Sequence, residues 1–180
     1  MTLYGGQLFN SGALTWAAAL ADGYGSVINN SATITITSAA GSSYGTLNNA
    51  DGTAVFNNSG TLWMTGTNTT TATIADTFYK SGTVNVTSGT LILNGGGTET
   101  GAFTVGTGAT NNLGGGTFNF NSGTSISGEG AFTISGGTVN FTGTSTLTAA
   151  TLNITGGTAN FSGTGSLQPG SLNMSGGALH

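Results

Sequence analysis

Residues Ser135–Ile154 read SGGTVNFTGTSTLTAATLNI, and Thr155–Met174 read TGGTANFSGTGSLQPGSLNM, the same pattern shifted by 20 residues. At this shift Gly136 falls on Gly156 and Gly176, Val139 on Ala159 and Leu179, and Phe141 on Phe161. Leu147 falls on Leu167, Leu152 on Leu172 and Ile154 on Met174. One copy upstream, GGGTFNFNSGTSISGEGAFTI fits with one residue added. Near the other end, SGALTW at Ser11, SATITI at Ser31 and DGTAVF at Asp51 also step by 20. A fixed period of this size marks a repeat architecture, in which stacking of neighbours, not the single unit, buries the apolar face.

Each copy holds three short alternating runs, such as Thr-Val-Asn-Phe from Thr138 and Thr-Leu-Asn-Ile from Thr151, separated by Gly and small polar residues. Alternation over four or five residues is a strand signal, and the separators suit tight corners. Three strands and three corners per copy predict one coil of a parallel β-helix, right-handed by the crossover rule. About nine coils at ~4.8 Å per coil give a rod roughly 40 Å long. The expected layout is one solenoid domain over 1–180, regular at 11–56 and 117–180. Over 57–116 the phrases SGTLWM, SGTVNV and SGTLIL recur at uneven spacing.

Val139, Phe141, Leu147, Leu152 and Ile154 are the expected core, with Phe120, Phe141 and Phe161 forming an aromatic column. Trp16 and Trp63 fall at the column of Ile36, Phe56 and Met64 and are expected as core or flank packing there, a sugar-stacking platform being the alternative. The outside should carry ladders of Thr117, Asn119, Thr138, Asn140, Thr158 and Asn160. Gly136, Gly156 and Gly176 should mark corners that need either positive φ or close approach between coils.

Charge narrows the function. The chain of 180 residues carries one Lys or Arg, five Asp or Glu, a net charge of −4 and no Cys. Nucleic acid requires clustered cations and is excluded as a partner. No basic patch exists for an anionic membrane. No apolar run approaches the ~18 residues of a spanning helix. Neither disulfides nor thiolate metal sites can form. Asp51 and Asp76, or Asp22 and Asp51, are the carboxylates that coil geometry could bring together, but no Arg accompanies them, and scattered corner residues explain them. The acids do not follow a calcium-binding nonapeptide register. His180 is the only His, and the glycine clusters lack the Lys of a phosphate loop. No catalytic residue, metal site or cofactor is expected.

The phrases SGTLILNGGGTETGAFTVGTGATNNLGGGTFNFNSG, ISGEGAFTISGGTVNF and TGGTANF resemble the Gly/Thr/Asn-rich β-helical repeats of bacterial surface proteins. These include filamentous-haemagglutinin-like adhesins, autotransporter passengers and cyanobacterial-type repeat proteins. The resemblance runs from about Gly52 onward and implies an extracellular or cell-surface location. The expected role is structural: a segment of a surface fibre or adhesin stalk whose partner is itself. A glycan-binding adhesin module using the outward Thr/Asn ladders is the alternative, and a polysaccharide lyase or hydrolase a third reading. Neither end of the sequence reads as a polar cap, so the open ends of the solenoid are expected to be covered by covalent continuation or by stacking of another copy. Leu3, Leu8, Leu172, Met174 and Leu179 are the candidate contacts there.

Overall fold

The computed structural model describes residues 2–17, 21–37 and 52–180. Within them the chain forms strands and no helix, and every strand pairs in parallel with its counterpart one coil away. The result is a β-solenoid of about eight turns with three parallel sheets. The first sheet has nine strands, from Gln7–Asn10 to Ala178–Leu179. The second has eight, from Ala13–Trp16 to Ser166–Leu167, and the third six, from Thr71–Ile74 to Ser171–Met174. A separate pair, Thr2–Tyr4 on Ala21–Gly23, precedes the first-sheet strands just as third-sheet strands do elsewhere.

In the C-terminal half the register is the expected one: Thr138↔Thr158 through Phe141↔Phe161, and Thr151↔Ser171 through Ile154↔Met174. The phrases at Ser11 and Ser31 also stack, from Ala13↔Thr33 to Trp16↔Ile36. The phrase at Asp51 does not join them. Val55–Asn58 belongs to the first sheet and lies on Val27–Asn30, while Thr61–Met64 lies on Thr33–Ile36. Both pairings span 28 residues, so this coil is longer than its neighbours. Similar phrases serve all three sheets, so likeness of phrase does not decide which sheet a strand enters. Stacking does: Ile28 meets Phe56, and Asn30 meets Asn58. Further along the step varies as expected, with Thr61↔Thr83, Thr71↔Thr90 and Ala102↔Ser125 as partners.

The core is a set of columns running along the rod axis. In the second sheet Leu14, Ile34, Leu62, Val84, Phe103 and Ile126 stand over one another. In the first sheet Phe120, Phe141 and Phe161 stack nearly parallel, with ring centroids 4.9 Å and 4.3 Å apart. Phe141 is buried, and its neighbours Thr138 and Asn140 are partly exposed on the other side of the strand. Trp16 stands in the column of Ile36 and Met64, as expected. Trp63 does not. It lies beside Thr35 and Asn85 on the outward side, 40% exposed, because Leu62 and Met64 take the inward positions of its strand. Phe56 is in the first sheet, on Ile28.

The corner glycines meet the expectation through close approach. A Cβ on Gly136, Gly156 or Gly176 would come within 2.3–2.5 Å of a backbone carbonyl oxygen one coil below. The residues that adopt positive φ are their successors, Gly137, Gly157 and Gly177, at 67–70°. These successors are also packed against the coil below, where a Cβ would come within 2.1–2.6 Å of a backbone oxygen, so they need glycine for both reasons.

These faces make a sharp contrast in stability. Phe141→Ala leaves a cavity between two stacked rings and should cost about 3–5 kcal/mol, and Phe141→Asp more. Thr138→Asp, on the outward side of the same strand, should change stability by only about 0.5 kcal/mol. Urea unfolding followed by circular dichroism measures both. Equal losses would reverse the assignment of faces.

Candidate functional site

The six outward residues named from the sequence lie on one face of the first sheet. Thr117, Thr138 and Thr158 are in register, as are Asn119, Asn140 and Asn160. The amides bond along the axis: Asn140 Nδ2 donates to Asn119 Oδ1 at 2.9 Å, and Asn160 Nδ2 to Asn140 Oδ1 at 2.8 Å. The same device recurs elsewhere. Asn57 donates to Asn29 at 2.9 Å on this sheet, and Asn173 to Asn153 at 3.1 Å on the third. Each coil offers the next an identical group, so every internal amide of such a ladder can both donate and accept.

A second ladder, inside the rod, was not anticipated from the sequence. Asn10 donates to Asn30 at 2.7 Å and Asn30 to Asn58 at 2.6 Å, all three being buried. Each also donates to the first carbonyl of the second-sheet strand one coil further on, at Thr33, Thr61 and Thr83 respectively, over 3.0–3.1 Å. The ladder therefore ties the first sheet to the second while satisfying its own polar atoms. The signal was legible: Asn-Ser-Gly, Asn-Ser-Ala and Asn-Ser-Gly recur at Asn10, Asn30 and Asn58, and Lys-Ser-Gly follows at Lys80.

Lys80 occupies the next place in this inward column, and Glu99 the place after it. The only Lys or Arg of the chain is thus buried, at 2% exposure. Its Nζ donates to the Thr100 carbonyl at 2.9 Å and lies 4.2 Å from the centre of the Phe103 ring. Glu99 is fully buried, and its carboxylate oxygens have no hydrogen-bond partner among the described residues. Burial is the main influence on both groups. It pushes the Glu99 carboxyl up from 4.5 to about 8 against the pull of Lys80. It draws Lys80 down from 10.5 to about 8 against the pull of Glu99. In the third sheet Asn111 stands between Leu91 and Phe132, fully buried, and its amide atoms also have no partner among the described residues.

The remaining candidates are dispersed. Asp76 is fully buried, Asp51 lies outside the described residues, and Glu129 is exposed and accepts from Thr107 Oγ1 at 2.8 Å. Among the described residues no three His, Cys, Asp or Glu form a group able to hold a metal ion, and no helix is long and apolar enough to cross a membrane. Leu3, Leu8 and Leu179 are partly buried against the core, while Leu172 and Met174 are 43% and 48% exposed. No family model, curated protein or solved structure matches this chain.

The buried pair dictates a pH dependence. Between about pH 4.5 and 8 the folded chain keeps a proton on Glu99 that the unfolded chain releases, so stability falls as pH rises. Between about pH 8 and 10.5 the unfolded chain keeps a proton on Lys80 that the folded chain has lost, so stability rises again. The melting temperature should pass through a minimum near pH 8. Glu99→Gln should flatten the limb below it and Lys80→Met the limb above. An unaltered profile in both variants would contradict the assignment.

Asn111→Leu provides a separate check. It removes a buried amide without partners and continues the column of Leu91, so stability should rise by about 1–3 kcal/mol. A loss on urea unfolding would mean that the amide is satisfied after all.

Proposed function

We propose that this chain is a structural segment of a bacterial extracellular fibre or adhesin stalk, associating with its own kind side by side or end to end. The observation that carries this reading is the burial of Lys80. With the only Lys or Arg inside, the outer surface has neither residue to offer. Soluble monomers ordinarily keep mixed surface charges that resist association. A rod clad in Thr, Ser, Asn and Gly has little such protection, and its flat outward ladders repeat at the same spacing on every copy.

Sedimentation velocity and negative-stain electron microscopy over a range of concentrations test this. Association should grow with concentration and survive high salt, because no ion pairs hold it. Thr117→Lys with Thr158→Lys should disperse the material without unfolding it. Single rods at every concentration, or assemblies that dissolve in salt, would reject the proposal.

A further inference from the structure

The N-terminal half of the first sheet carries a groove that differs from the Thr/Asn ladder further along. Its outward column runs Phe9, Asn29, Asn57, Tyr79, in register coil by coil. Two aromatic rings thus bracket two amides. Phe9 is 70% exposed and Tyr79 45%, both on the outward side of their strands. Two positions further along each strand, at the corner, runs a parallel row of hydroxyls: Ser11, Ser31, Ser59 and Ser81. Between the two rows lie two shallow depressions. One is walled by Phe9, Asn29 and Ser31, the other by Tyr79, Ser81 and Thr98, and both include Asn57 and Ser59, so they join into one trough along the rod.

The chemistry of the walls defines what fits. Among the described residues no Asp or Glu lines the trough, and Lys80 beneath it is buried with its Nζ donating to the Thr100 carbonyl. The Asn57–Asn29 bond uses one N–H of Asn57 and one lone pair of Asn29. The NH2 of Asn29 and the carbonyl of Asn57 keep capacity for a ligand. Ser31 and Ser59 donate their hydroxyls to the Asn10 and Asn30 carbonyls, at 3.0 Å and 3.2 Å, so towards a ligand they act as acceptors. An exposed ring face favours the C–H face of a sugar, and amides and hydroxyls favour its hydroxyl groups. Phe9 and Tyr79 are three coils apart, about 14 Å at ~4.8 Å per coil, roughly the length of three β-linked pyranose residues in an extended chain.

We infer that this trough binds a neutral, linear, β-linked glycan along the rod axis. Phe9 and Tyr79 stack on sugars about three residues apart, and Asn29 and Asn57 hydrogen-bond the sugars between them. The site is independent of self-association, since it lies in a different stretch of the rod from Thr117–Asn160 and from Leu172 and Met174.

Isothermal titration calorimetry with cello-, xylo- and chito-oligosaccharides of two to six residues tests the inference. At least one series should bind, with affinity rising steeply from two to four residues and levelling beyond. Tyr79→Ala and Phe9→Ala should each weaken binding at least tenfold, with unchanged circular dichroism. Tyr79→Phe should retain it, and Asn140→Ala should leave it untouched. The inference is overturned if no series binds, or if binding survives Tyr79→Ala with Phe9→Ala. It is also overturned if these substitutions change only the sedimentation coefficient, which would make the trough a seat for another copy of the rod. Failure of binding in a chain that still forms filaments leaves the structural reading standing, and the reverse result leaves the glycan site standing.

Discussion

Parallel, in-register pairing between successive coils is the constraint on which everything else in this molecule depends. It places each residue directly above its counterpart, so whatever side chain a position carries is repeated along an axis at about 4.8 Å. Like charges cannot be stacked this way without repulsion. Apolar groups, amides and hydroxyls can, and amides and aromatic rings gain from it, because each copy bonds or stacks with the next. The composition of the chain, rich in Thr, Asn, Ser and Gly and almost empty of charge, follows from that constraint. So does the need for glycine at corners, where coils approach too closely for a Cβ.

One inward column of the first sheet displays the range of solutions. It begins with three asparagines that bond one another and the second sheet. It continues through Lys80 and Glu99, a basic and an acidic side chain in adjacent coils, and ends with three stacked phenylalanines. The amide ladder and the ring stack are both self-satisfying. The charge pair between them is not: burial works against both ions, and each is held only partly by its neighbour. Exchange of such a pair for apolar residues is often neutral or stabilising in proteins. Its position also removes the only Lys or Arg from the surface, and that links the interior to the proposed associating role.

The C-terminal half was the most legible part of the sequence, because there successive coils differ in length by at most one residue, with partners 20 or 21 apart, and position in the phrase nearly equals position in the coil. Val139, Phe141, Leu152 and Ile154 face inward as alternation requires, and Asn119, Asn140 and Asn160 form the ladder that their spacing implied. Legibility failed where two sheets use the same words. DGTAVF resembles SATITI, yet the two enter different sheets, and only the stacking of Phe56 on Ile28 distinguishes them. Trp63 illustrates a related limit: in Thr-Leu-Trp-Met every residue after Thr is apolar, so alternation cannot say which one faces out. The inward asparagines were overlooked because a polar residue in an alternating strand is read as outward. Their tie was the recurring Asn-Ser-Gly or Asn-Ser-Ala phrase, not their polarity. Tyr79 and Phe9 likewise face out against their hydrophobicity, and that made the trough visible only from the register.

The central claim is therefore the register, including the one long coil. Disulfide trapping measures it directly, since the chain has no cysteine of its own. Residues on adjacent parallel strands in register have Cα atoms within the range a disulfide can span. Asn29→Cys with Asn57→Cys, partners across 28 residues, should oxidise readily in the folded protein, as should Asn140→Cys with Asn160→Cys. Thr35→Cys with Val55→Cys, which a uniform 20-residue step would pair, should stay reduced. Crosslinking of Thr35→Cys to Val55→Cys, with Asn29→Cys and Asn57→Cys left as free thiols, would contradict the register and with it the inward ladder and the trough.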